Sequence, residues 1–249
     1  MKPMLTHPSV SSRQQRSWLL AMLACVQLSS CASRGPQPPS PAADVGSAAP
    51  LAVPAGSNSY VVDPDRTVVT IIARRAGPLA RLGHDHVVTS RDETGSAWLT
   101  DRPETSAFEL RLSVDKLDVD LPEARSAAGP EFAQVVPEAA RAGTRANMLR
   151  PEVLDAAQYP AIALRSSSST GEWPDVKARV AVEFKGSVTE FQVPMHVQRE
   201  VGVLEARGSL QLSQSQLGLT PFSVAGGAIQ VADTLEIRFE LVATAAPRN

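Results

Sequence analysis

Val176-Lys177-Ala178-Arg179-Val180-Ala181-Val182-Glu183-Phe184 sets apolar residues at every second position, and most of the positions between them are charged. A period of two sends alternate side chains to opposite faces, so this stretch reads as a β-strand with one dry face and one wet face. The pattern repeats along the chain. Phe191, Val193, Met195 and Val197 alternate with Gln192, Pro194, His196 and Gln198. Leu204, Ala206, Gly208, Leu210 and Leu212 alternate with Glu205, Arg207, Ser209 and Gln211. Phe108, Leu110, Leu112 and Val114 form another such row, and Leu235, Ile237, Phe239, Leu241 and Ala243 another. Tyr60–Asp63, Thr67–Ala73 and Ala161–Ser166 add shorter strands. The pattern belongs to antiparallel sheet with one buried face. About eight to ten such strands in one domain predict an all-β sandwich or closed barrel. Pro194 inside a strand marks an edge, a bulge or a bend.

One region breaks the period. Residues 131–158 are rich in Ala, Glu and Arg and predict one or two short helices, interrupted near Pro137, Gly143 and Pro151. Such an insert lies across an open barrel end or packs on its side.

The N-terminal region reads as an address. Lys2, Arg13 and Arg16 precede the apolar run Trp18–Val26, which is too short to span a bilayer at about 20 residues. Leu28-Ser29-Ser30-Cys31 follows and resembles the lipobox of bacterial lipoproteins. The expectation is a signal peptide over 1–30 and acylation at Cys31. Ala32 after the Cys favours the outer membrane, with the protein on the periplasmic side of the cell envelope. Residues 31–57 carry six prolines among Ala and Ser, too little apolar surface to repay ordering, and read as a tether. Fully extended as polyproline II, such a tether reaches about 80 Å. The folded domain is then 58–249.

Composition narrows the function. A net charge of −2 with no basic clusters argues against nucleic acid as a partner. Aromatic residues make up only 4%, too few for a base-stacking surface or an aromatic carbohydrate groove. The two cysteines, Cys25 and Cys31, both lie near the N-terminus, so the rest of the chain has no disulfide and no thiol nucleophile. No G-x-S-x-G, H-E-x-x-H, G-x-G-x-x-G or P-loop occurs, and the Ser166–Ser169 run reads as a turn. The chain is not read as an enzyme.

The order of several blocks resembles a known family. Tyr60-Val61-Val62-Asp63 opens the domain, and Gly83-His84-Asp85-His86 follows the second strand. After the strand Phe108–Leu117 come Met148-Leu149 and Leu154-Asp155-Ala156-Ala157-Gln158-Tyr159-Pro160-Ala161-Ile162. Phe184-Lys185-Gly186-Ser187-Val188-Thr189, Gln216-Leu217-Gly218-Leu219 and Val231-Ala232-Asp233-Thr234-Leu235-Glu236-Ile237 complete the series. Together they resemble the YceI-like family over about 59–245. One segment departs from the family pattern: many members have a His-containing segment at the end of a strand where this chain has Arg74-Arg75, with Gly83-His84-Asp85-His86 later. The resemblance implies a lipocalin-like antiparallel β-barrel that takes a polyisoprenoid or other long-chain lipid, with no other cofactor.

The inward rows then become the candidate cavity: Phe108, Leu110, Leu112, Val180, Val182, Phe184, Phe191, Val193, Met195, Leu204, Ala206, Gly208, Leu210, Ile237 and Phe239. Eight-stranded barrels are just wide enough to be filled by side chains or to hold one ligand. The small residues Ala178, Ala206, Gly208 and Ala243 are where a void is expected. Arg75, Arg81, His84 and His86 are candidates for the cavity rim, with Arg74 nearby. His84 and His86, two apart on a strand, share a face and suit zinc or copper, but a metal site needs further ligands and the other His of the domain, His196, is distant in sequence. No metal is therefore expected. Asp115, Asp118 and Asp120 lack the Gly and terminal Glu of a recognised calcium loop. Two other functions compete with lipid binding: a filled barrel acting as an interaction module of the envelope, and a metal-handling protein using His84 and His86. Oligomeric state is left open, a dimer included.

Overall fold

The computed structural model describes residues 51–247. The expected signal peptide, Cys31 and most of the expected tether lie outside these residues. The strands are β1 (Asn58–Val62), β2 (Val68–Ala76), β3 (His86–Ser90), β4 (Thr94–Leu99), β5 (Ala107–Ser113), β6 (Asp118–Val119), β7 (Ala161–Ser166), β8 (Ser169–Glu172), β9 (Asp175–Phe184), β10 (Ser187–Glu200), β11 (Val203–Ser213), β12 (Ser223–Val224) and β13 (Ile229–Ala245). Two α-helices, α1 (Pro122–Ala128) and α2 (Glu138–Met148), lie between β6 and β7.

All the pairings are antiparallel, and the circuit β1-β4-β5-β7-β9-β10-β11-β13 returns to β1. This is a closed eight-stranded barrel. The last strand is long enough to pair twice on one side. Gln230–Glu240 pairs with β2, and its end pairs with β1 through Tyr60 and Ala245. β3 and the short β6 extend this side of the sheet from β2. Closure pairs both sides of the eight barrel strands, which would otherwise leave edges open to pairing with another chain.

The alternation sets which face is dry. In β9, Val176, Ala178, Val180 and Phe184 are buried, and Lys177 and Arg179 between them are exposed. The β9–β10 hairpin turns on Lys185 and Gly186, both at positive φ, so Phe184 pairs with Ser187 and the two dry faces coincide. Pro194 marks a limit. Between β10 and β11 the ladder carries only His196–Glu200 against Val203–Arg207, and it stops just short of Pro194. The Pro194 carbonyl passes so close to Gly208 that a Cβ there would sit 2.4 Å from it, which explains the glycine. β9 still pairs with β10, and β13 with β11, past this point.

The helical insert differs from expectation in two ways. Gly143 does not interrupt α2, which runs from Pro137 as its N-cap through to Met148. α1 begins at Pro122 and ends at Gly129, ahead of the predicted region. Proline in the first turn and glycine at the C-terminal cap are the signals that mark it in the sequence. The two helices take different positions. α1 packs with Phe132 against Ile72 and Val87, the outward residues of β2 and β3. α2 turns Thr144, Asn147 and Met148 towards the barrel interior. Arg145 fixes it there, donating to the Leu117 carbonyl at 3.0 Å and to the Asp115 carbonyl.

Glu93, in the loop between β3 and β4, is fully buried, and neither carboxylate oxygen has a hydrogen-bond partner among the described residues. Burial pushes its pKa up. A raised folded-state pKa means that stability is greatest while Glu93 is protonated and is lost as pH rises from the ordinary carboxylate range through the folded value. Glu93→Gln is therefore expected to raise the melting temperature of the domain at pH 7, because it removes the buried charge. The gain should shrink at pH 4, and melting temperatures of the two proteins at both pH values check this.

Candidate functional site

The barrel encloses a cavity of about 330 Å³ towards the end that carries the helical insert. That volume lies at the lower end of the range for small-molecule sites. Its wall is built from the dry faces of β2, β3, β5, β7, β9, β10, β11 and β13, with Leu117 before β6 and Met148 and Leu154 from the insert covering part of that end. Polar groups are few: His86, Thr144, Asn147 and Gln214. All the rest of the lining is apolar. A second void of about 90 Å³ lies towards the opposite end, around Leu99, Trp173, Val197 and Leu204, and Phe108, Leu110, Met195 and Leu241 border both.

The inward rows read from the sequence meet here. Phe108, Leu110, Leu112, Val180, Val182, Phe184, Phe191, Val193, Met195, Leu210, Ile237 and Phe239 all line the larger cavity. Leu204 and Ala206 line the smaller one instead. Gly208 lines neither. The Phe239 ring and the Pro194 carbonyl close over it, so a Cβ there would lie 2.6 Å from the ring. The expected origin of the void is corrected with it. Ala178 is wholly buried and packed with Val69, Leu110 and Phe239, and the larger space opens among Leu, Val, Ile and Phe side chains. The barrel's girth makes that space; of the four small residues, Ala206 and Ala243 border only the smaller void.

Other parts of the wall lie outside those rows, among them Ile162 and Leu164 of β7 and Val88 of β3. Ile71 and Ala73 of β2 face the cavity, and their strand was read without assigning its dry face. The turn Gln214–Leu219 supplies Gln214, Leu217 and Leu219. Asp233 holds that turn by accepting from the Ser215 N–H at 2.8 Å and the Ser215 hydroxyl at 2.6 Å, and Gly218 closes it at φ 72°. The Ser215 hydrogen bonds keep the Asp233 carboxyl below the usual range.

At the insert end His84 and His86 do share a face. Their rings meet edge-on with centroids 4.5 Å apart, and Asp85 points the other way to Arg74 and Arg75. Both imidazoles face Asp120, whose carboxylate is buried: His86 Nδ1 lies 2.7 Å from Oδ2, and His84 Nε2 lies 3.5 Å from the same oxygen. Oδ1 accepts from the Val87 N–H at 2.9 Å and from Arg125 at 2.6 Å. Burial alone would raise the Asp120 pKa, but the hydrogen bonds from His86, Val87 and Arg125 outweigh it and hold the carboxyl below its ordinary value. Burial, and then the neighbouring His86, push the His84 pKa down.

The rim reading is corrected in part. His86 lines the cavity and His84 backs it, but Arg75 and Arg81 line neither void. Arg75 donates to the Gly83 carbonyl at 2.8 Å and helps hold the loop, and Arg81 sits exposed in a short 3-10 turn. The aspartates at 115, 118 and 120 do not converge: Asp115 and Asp118 are exposed, and Asp120 is turned to the histidines. His196 pairs with Asp175 at 2.7 Å, at the other end of β9.

A family model described as the YceI-like domain matches residues 60–243. The chain belongs to the YceI-like domain family. Among solved structures, this YceI-like domain is similar in fold to BcnA of Burkholderia cenocepacia, with a TM-score of 0.54 and 15% identity over 74% of this chain and 99% of that one. The Campylobacter jejuni YceI protein aligns at a TM-score of 0.46 and 8% identity, over 64% of this chain and 85% of the other. No curated protein matches the chain.

Proposed function

We propose that the chain is an envelope lipoprotein whose YceI-like barrel holds one long-chain apolar lipid, an isoprenoid or a similar chain, for storage, shielding or transfer, and that it is not an enzyme. The observation that carries this reading is the 330 Å³ cavity with an almost wholly apolar wall and its polar groups gathered at one end. A cavity of that kind selects by solvation. Each methylene taken from water contributes about 0.8 kcal/mol, so ten contribute about 8 kcal/mol, comparable to a micromolar Kd before the costs of association. Few directional contacts are then needed, and His86, Thr144, Asn147 and Gln214 suffice to orient a polar end. Family membership and the closed barrel support the same class of ligand. The test is mass spectrometry of organic extracts from the purified protein, which should show a long-chain lipid near one per chain.

The anchor is the second half of the proposal. Cys31 follows Leu28-Ser29-Ser30 after a short apolar run, and two or more acyl chains on it would give stable attachment to the outer membrane, facing the periplasm. Cys31→Ala is expected to move the protein from the membrane to the soluble fraction with its barrel still folded by circular dichroism. Retention in the membrane with unchanged electrophoretic mobility would contradict acylation at Cys31.

A further inference from the structure

We infer that His84, His86 and Asp120 form a binding site for one divalent transition-metal ion of the zinc class, at the insert end of the barrel, where His86 also borders the cavity. The sequence argues against it only because no third ligand is near, and the fold supplies one. β6 pairs with β3, Val119 against Val88, and this brings Asp120 to the two histidines from 34 residues beyond His86. One ligand atom from each residue lies within 4.8 Å of the others. Among the described residues this is the one group of three or more His, Cys, Asp or Glu side chains so placed.

The details favour a metal over a plain hydrogen-bonded cluster. His84 Nε2 is buried and makes no hydrogen bond, although it lies 3.5 Å from Asp120 Oδ2. Two atoms bound to one tetrahedral zinc stand about 3.4 Å apart, since each metal–ligand distance is near 2.1 Å. The His86 Nδ1 to Oδ2 separation of 2.7 Å has to open by several tenths of an ångström, which a small turn of the imidazole provides. Asp120 divides its labour. Oδ1 is held by Val87 N–H and by Arg125, itself fixed by the carbonyls of Asp85, Phe132 and Gln134, and Oδ2 is turned to the histidines. Hydrogen bonds of this kind to a ligand carboxylate orient metal ligands in general. Two imidazoles and one carboxylate suit zinc, copper or iron(II), and three protein ligands leave a position for water.

The experiment uses the full chain in detergent, without a His tag, stripped with EDTA and titrated with zinc chloride against a chromophoric chelator. One zinc per chain is expected, with cobalt(II) as a replacement giving visible d–d bands. His84→Ala should weaken zinc binding at least about tenfold and remove the cobalt bands. Circular dichroism establishes that the metal-free variant is folded, and His84→Gln replaces it if it is not. No stoichiometric zinc at micromolar concentration, or equal affinity in the folded variant, would overturn the site.

Discussion

Arg125→Ala should cost the domain about 3–5 kcal/mol, a large share of the roughly 5–15 kcal/mol that holds a domain together. Arg125 is almost fully buried, and its partner Asp120 is entirely so. Removing the guanidinium leaves a buried carboxylate short of its strongest donor and takes the donors from three carbonyls: Asp85, Phe132 and Gln134. It also takes a cation from the face of the buried Phe132 ring, 5.7 Å from the centroid. The outward face of β2 and β3 is covered by α1 through this same region. Arg75→Ala is the matched control. Its pairing with Asp85 at 3.7 Å is long and Arg75 itself is exposed, so the change should stay within about 1 kcal/mol. Urea denaturation of both variants separates the two outcomes, and a loss below 1 kcal/mol for Arg125→Ala would contradict the role given to the pair.

Val182→Trp should remove bound lipid while leaving the delipidated barrel close to its parent's stability. Val182 sits in the middle of the cavity wall, paired on one side with Leu164 and on the other with Thr189. A void accepts added volume, whereas a packed core does not, and overpacking typically costs about 1–3 kcal/mol. Ala178→Leu supplies the contrast within the same strand. Ala178 is wholly buried and borders neither void, so the larger side chain there should destabilise by that amount. The parent's melting temperature should itself fall on delipidation, because a ligand bound only to the folded state stabilises it by mass action. If Val182→Trp destabilised as much as Ala178→Leu, the cavity would be no space for a chain.

The period of two made most of this legible. Strand faces follow from alternation alone, which places Val180, Val182, Leu210 and Ile237 on the interior without knowledge of the pairing. Alternation reports a face but not what stands opposite, and for that reason it misplaced Gly208, which a crossing carbonyl and the Phe239 ring fill. It also could not show that the larger space would open among bulky side chains. Asp120 illustrates the harder limit. In sequence it is one of three alternating aspartates. Only the β3–β6 pairing, between segments about thirty residues apart, turns it towards His84 and His86. Arg75 and Arg81 stand beside the histidines in the chain, but a local loop takes up the first and solvent the second.

The most direct test is the organic extract of the purified full chain, analysed by mass spectrometry beside Val182→Trp. A lipid-holding barrel gives a long-chain apolar lipid near one per chain in the parent and little or none in the variant. An empty extract from the parent, with a melting temperature that delipidation does not change, would contradict the account.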